Sequence, residues 1–388
     1  MAGEATLQIT LNKGIQSSNF SRDSFVVVNT GTKTIAEIVI DVSGALFPDM
    51  VFDPFGEAGD TTTKALTIDT NGGTGVVTPS AASYIGAGGI DGFTGIVLTF
   101  DPSTNNGFEP GETLGFSVDM DPNSIAGAQK DTLDNGSSPS WDVGGVNGAE
   151  LIGSTFTVTF SDGTTASGQL QGVLDSPTTE EQGGAQALAS QGITESSVTL
   201  TVNGLAAGDA GTYTPGNVTV TVEGVAGETA RITLAKGFIQ PGDNLFEQPY
   251  KSQLDAQLSA LAASDFPANN AVEFQVVDVL LTGSPQDVTS LFNFTSVPIS
   301  EVDNPDTLPL GFVASVIDPS RDGLATGPAT TPIYLKSENR APTPVDDTGG
   351  TTGDPVVIDV LANDSDPDGD VLALASFTQG TGGTVTRD

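Results

Sequence analysis

Short runs in which apolar and polar residues alternate with a period of two, each closed by Gly, Asp, Asn or Ser, leave this chain little choice but sheets. SFVVVNTG (24–31), TIAEIVIDVSG (34–44), GFTGIVLTF (92–100), TLGFSVDM (113–120) and STFTVTFSDGTTASGQL (154–170) each put every second side chain on one face. That is the period of a half-buried strand. Asp162-Gly163 in the last run is a hairpin signal, because glycine takes the positive φ of a tight turn. Residues 1–172 are expected to form one β-sandwich.

The alternation stops over 173–192, where SPTTEEQGGAQALASQG is small and polar, the composition of a linker. It resumes in SSVTLTVNG (196–204), GNVTVTVEGVAG (216–227), ARITLAKG (230–237), AVEFQVVDVLLTG (271–283), GFVASVI (311–317) and PIYLKSE (332–338). A second sandwich is therefore expected over 193–338. One short helix interrupts it: KSQLDAQLSALAAS spaces Leu254, Leu258 and Leu261 at i, i+4, i+7, with Ser252 as N-cap. Three leucines suffice to pack it across an open end of the sandwich, and a partner-binding helix is the alternative. The expected class is all-β, tandem β-sandwiches of jelly-roll or Ig-like topology with one short helix in the second domain.

Charge narrows the partners. Twelve Lys and Arg face 49 Asp and Glu, a formal charge of -37, which repels nucleic acid and anionic membrane surfaces alike. Hydrophobic residues still make up 37%, so the chain should fold. It has no Cys and no His. Disulfides, thiolate sites and imidazole bases are thereby excluded, and hard oxygen donors remain, which suit Ca²⁺ or Mg²⁺. The N-terminus has no basic segment followed by an apolar one, and no apolar run is long enough to span a bilayer. Neither an N-terminal export signal nor membrane insertion is expected in this segment.

ENRAPTPVDDTGG (338–350), stiffened by Pro342 and Pro344, leads into VLANDSDPDGDVL (360–372). Two carboxylates about 4 Å apart repel by roughly 1 kcal/mol even in water. Gathering Asp364, Asp366, Asp368 and Asp370 is unfavourable unless a cation neutralises them, and Asn363 adds an amide oxygen. The spacing imitates an EF-hand, but Ala375 occupies the position of its final Glu. A solvated acidic turn is the plainer alternative. Over 339–388 these motifs, with Asn339-Arg340-Ala341-Pro342 and Val345-Asp346-Asp347 at the entry, resemble the bacterial cadherin-like, immunoglobulin-like repeats of giant secreted adhesins. The resemblance implies Ca²⁺ at the domain joint, with Asp346 and Asp347 among its ligands. It also implies neighbouring repeats of the same chain, a partial third domain that runs on past residue 388, an extracellular or cell-surface location and type I secretion.

FPDMVFDPFGEAGDTTTK (47–64) and GFEPGETLGFSVDMDPNSIAG (107–127) resemble segments of N-terminal sandwich modules in secreted bacterial multidomain proteins. Asp119 and Asp121 alternate at a strand end, before Asn123 and Ser124. With Asp53 or Asp60 they make a candidate Ca²⁺ site, or else ordinary Asx-turn chemistry. Trp141, the single tryptophan, sits in a polar loop that suits either a sugar-stacking platform or an anchor to the core. Catalysis would rest on carboxylates alone, and these lie in Gly and Pro turns that suit metal or turn roles better than a raised-pKa acid. The expectation is a non-enzyme: a segment of a Ca²⁺-dependent surface adhesin with glycan or cell-surface ligands. The alternative is an ancillary carbohydrate-binding region of a secreted polysaccharide-degrading enzyme.

Overall fold

A computed structural model describes residues 2–9, 22–46, 50–56, 58, 63–86, 92–122, 146, 148–173, 184–193, 196–213, 217–236, 273–294, 310–321, 323–337, 342–350, 353, 355–365, 372, 374, 376–380 and 383–387. These residues are nearly all strand and turn. Their only helical pieces are 3-10 turns of three or four residues, and no helix is long and apolar enough to cross a membrane. The helix expected at 250–263 lies outside them.

The first domain contains β1 (Glu4–Ile9), β2 (Phe25–Val28), β3 (Ile35–Asp41), β4 (Met50–Phe52), β5 (Thr67–Asn71), β6 (Tyr84–Ile85), β7 (Gly95–Thr99), β8 (Thr113–Ser117), β9 (Met120–Pro122), β10 (Thr155–Phe160), β11 (Thr165–Gln169), β12 (Gln171–Gly172) and β13 (Ala185–Ser190). One sheet runs β12-β13-β1-β2-β8-β5, the other β11-β10-β3-β7-β6, and β4 pairs with β9 in a separate ribbon. The chain changes sheet between β2 and β3, between β7 and β8 and between β11 and β12, and the two sheets share one core. Period two does what the sequence demands: on β10, Phe156, Val158 and Phe160 are fully buried while Thr155, Thr157 and Thr159 face outward. Each buried Phe contributes about 1.5–3 kcal/mol. The hairpin at Asp162-Gly163 forms as expected, with the Phe160 amide donating to the Thr164 carbonyl at 2.8 Å.

The stretch expected as a linker is not one over Ala185–Ser190, which pairs with β1 along its whole length. AQALAS lacks the β-branched and aromatic residues that mark strands, and its small residues are what the site requires. Ala185, Ala187 and Ala189 are fully buried, and β11 lies so close that a Cβ on Gly168 would come within 2.0 Å of the Leu188 carbonyl oxygen. Packing against neighbours overrides propensity here.

The second domain contains β14 (Val198–Val202), β15 (Ala210–Tyr213), β16 (Val220–Gly224), β17 (Thr229–Lys236), β18 (Glu273–Leu280), β19 (Gln286–Asp287), β20 (Leu310–Asp318), β21 (Leu324–Ala325) and β22 (Ile333–Ser337). Its sheets run β14-β16-β19 and β15-β22-β20-β17-β18, with β15 parallel to β22 and β21 against β20. The two sheets face each other across one core, as in an immunoglobulin-like sandwich.

That second sheet is covered on both faces. Ala230, Ile232, Leu234, Phe312, Ala314 and Val316 point into their own core, whereas Ala235, Phe274 and Val313 join the core of the first domain. The near-continuous apolar run of β20 records this double burial. Around the apolar contact sit polar ties. Arg231, 3% exposed, forks onto Asp278 at 2.8 and 2.9 Å and donates to the carbonyls of Gly172 at 3.0 Å and Gly323 at 3.3 Å. The Ser315 hydroxyl donates to the side-chain oxygen of Gln171, Tyr334 donates to the Leu46 carbonyl at 3.0 Å, and Arg321 pairs with Glu4 at 2.6 Å. The two sandwiches are thus packed together as one body.

Burial pushes the Glu4 carboxyl up, but hydrogen bonds from Arg321, Ser190 and Thr30 outweigh it and hold it below the usual range. Asp101, Asp162, Asp287 and Asp318 are also held low, chiefly by hydrogen bonds from Ser103, Lys33, Thr289 and Ser320 respectively. A depressed carboxyl stabilises the fold above its unfolded pKa and loses that contribution as pH falls through the folded value. The protein should therefore lose stability on acidification, and Glu4→Gln should lose less than wild type between neutral pH and about pH 3, measured by urea denaturation. Asp278→Ala strands a buried guanidinium and should cost about 2–3 kcal/mol, less than for a fully buried pair because Asp278 is 23% exposed. Arg231→Met, which removes the charge itself, should cost less in the same denaturation series.

Candidate functional site

Two acidic regions carry the expected sites. In the first domain, β4 and β9 pair with Val51 opposite Asp121 and Phe52 opposite Met120. The ribbon is anchored because Phe52 and Met120 enter the core and Phe52 exchanges two backbone hydrogen bonds with Phe93. Asp53 and Asp119 follow and precede its two strands, and the Asp53 amide donates to the Asp119 carbonyl at 2.9 Å. Asp53, Asp119 and Asp121 are 1%, 6% and 2% exposed, so the ribbon brings three carboxylates into the protein rather than onto a turn in water. The Asp53 carboxylate accepts from the Ala58 amide at 3.0 Å, which ties down the loop after β4. Glu150, in the turn Gly148–Leu151, is a fourth buried carboxylate in this domain. As a lone acid before the β10 run, it carries no local signal of its burial. Asp60, Asn123, Ser124 and Trp141 lie outside the described residues.

At the other end, Thr343 and Ser365 form an antiparallel bridge, with hydrogen bonds of 2.7 and 3.2 Å. Beside it the Asp364 carboxylate accepts from the Val345 amide at 2.7 Å. The entry segment is thereby fastened to the start of the aspartate cluster. Asp346 and Asp347, the two residues after Val345, stand exposed, and Asn363 precedes Asp364 in the turn closed by the Asp364 amide on the Leu361 carbonyl at 3.2 Å. Of the seven expected ligands at this joint, Asp364 is tied to the entry segment through Val345, Asp346 and Asp347 follow Val345 in that segment, and Asp366, Asp368 and Asp370 lie outside the described residues. Among the described residues no three carboxylates come together as a metal-holding group, here or at the ribbon.

A carboxylate that caps a backbone amide keeps one oxygen for a second partner, and a run of such groups with a side-chain amide is a hard-oxygen donor set. At the joint the described residue tied down in this way is Asp364, on the Val345 amide. The ribbon offers buried carboxyl groups held in place by backbone.

No curated protein matches the chain. Residues 339–388 match the family described as bacterial Ig domain. The C-terminal segment is thus similar to the bacterial Ig-like repeats, modules typical of surface and extracellular proteins.

Proposed function

We propose that this chain is a non-catalytic segment of a bacterial surface adhesin, in which a packed pair of sandwiches is followed by an Ig-like repeat across a joint that Ca²⁺ stiffens. The observation that carries the reading is the Asp364 carboxylate folded back onto the Val345 amide. It ties Asp364, with Asn363 before it, to the segment that carries Asp346 and Asp347, and a divalent cation would draw these donors together against their mutual repulsion. Extracellular modules of this kind bind Ca²⁺ at roughly 10⁻⁴–10⁻³ M, so the joint would fill outside a cell and empty inside it. Asp366, Asp368 and Asp370 extend the donor set. Asp119 and Asp121 are held as a second, structural Ca²⁺ position within the first domain.

The ligand class we assign to the sandwiches is a neutral glycan. A charge of -37 turns away anionic polymers. The outward face of β10 and β11 carries Thr155, Thr157, Thr159, Thr165, Ser167 and Gln169, all of which donate and accept hydrogen bonds without charge.

In millimolar Ca²⁺, protease cleavage between residues 338 and 366 should be slow, and a chelator should raise it severalfold. Asp364→Ala should cleave at the fast rate in both conditions; equal rates for wild type with and without chelator would remove Ca²⁺ from the joint. On a broad glycan panel the full chain should bind neutral glycans, and Trp141→Ala should weaken that binding if the tryptophan is the platform. No binding by folded protein would leave a structural spacer.

A further inference from the structure

Between the two sandwiches lies an open cleft of about 320 Å³, within the size range of small-ligand sites. One wall is the outward row Thr155, Ser167 and Gln169 with Ser190 of β13; the other is the 325–329 loop, with Thr326 and Pro328. Among the described residues no ionisable side chain lines it. Neither a phosphate nor a basic peptide would find a counter-charge there, and the acidic chain around it disfavours an anion further.

The geometry points to this cleft as the seat of an uncharged, polyhydroxylated ligand, a short stretch of neutral polysaccharide. The assignment rests on the glycan reading above and gives it a location. Hydroxyl and amide groups both donate and accept, so they pair with sugar hydroxyls whatever the orientation of each. A sugar entering an open polar cleft displaces water and remakes the same bonds, while Pro328 and Ile193 offer aliphatic surface to the C–H face of a ring. Among the described residues no aromatic ring lines the cleft, so the affinity is modest.

The shape is set before any ligand arrives. The Gln169 side chain spans the two domains, its oxygen accepting from the Ala329 amide and its nitrogen donating to the Gly153 carbonyl at 3.3 Å. The Thr326 amide donates to the Val316 carbonyl at 2.9 Å, and the Ala314 amide donates to the Thr330 hydroxyl at 3.0 Å. Gly327 lies so close to the chain that a Cβ there would be 1.7 Å from the Ser196 carbonyl oxygen. Ordering costs that a floppy loop would add to binding are therefore absent.

Hydrogen exchange of the full chain, with and without millimolar cellohexaose, mannohexaose or chitohexaose, tests the assignment. At least one probe should protect backbone amides on both walls, near 167–169 and 326–329. Ser167→Trp, a filled cleft at an exposed position, should lower affinity for that probe by about tenfold or more, and Thr157→Trp on the same face outside the cleft should not. Binding with protection elsewhere, undiminished in Ser167→Trp, overturns the cleft and leaves the glycan reading standing. Failure of all three probes to bind overturns both.

Discussion

One buried guanidinium organises the larger part of this molecule. Arg231 reaches Asp278 on the neighbouring strand, the turn carbonyl of Gly323 and, across the domain boundary, the carbonyl of Gly172. A charge taken out of water needs all of its donors satisfied, and the partners here come from three separate parts of the chain. The sheet can turn its second face to the first sandwich only because this charge is answered there. In a protein with 12 cations against 49 acids, placing one of them at 3% exposure is a costly choice, and Arg321 on Glu4 repeats it at the rim of the same interface.

The joint to the Ig-like segment is built on the opposite principle. Between residues 339 and 386 the sequence holds eight aspartates and a single arginine. Where the sandwiches meet, the chain supplies its own counter-charge. Where the repeat begins it supplies almost none, and the carboxylates instead cap backbone amides such as that of Val345. One junction is closed by charge pairs between side chains, the other by a carboxylate on a backbone amide.

Much of the fold was legible from periodicity, because alternation is set by the strand itself. The β10–β11 hairpin and the inward Phe156 and Phe160 could be read directly, and so could two sandwiches in series. What could not be read depends on neighbours. AQALAS became β13 because it pairs with β1 along its length and its three alanines fill a fully buried face, and no local pattern announces that. GFVASVI was read as an ordinary alternating strand, although its unbroken apolar character already signalled burial on both faces. The pairing of Arg231 with Asp278 was invisible for the same reason: its partners lie 47 residues apart. At the candidate site the aspartate cluster was plain, since charge density is a local property. That Asp364 clasps the entry segment is a long-range contact that only the folded chain shows.

The parallel pairing of β15 with β22 has a mechanical meaning. β15 lies near the start of the second domain and β22 closes it, from Ala210 beside Tyr334 to Tyr213 beside Ser337. When tension is applied along a string of modules, the two ends of the domain are drawn apart. Antiparallel strands pulled at a hairpin end unzip one hydrogen bond at a time. Parallel strands next to opposite termini slide along their length, so the bonds between them share the load and break together. This domain is arranged to bear in shear a force that draws its two ends apart.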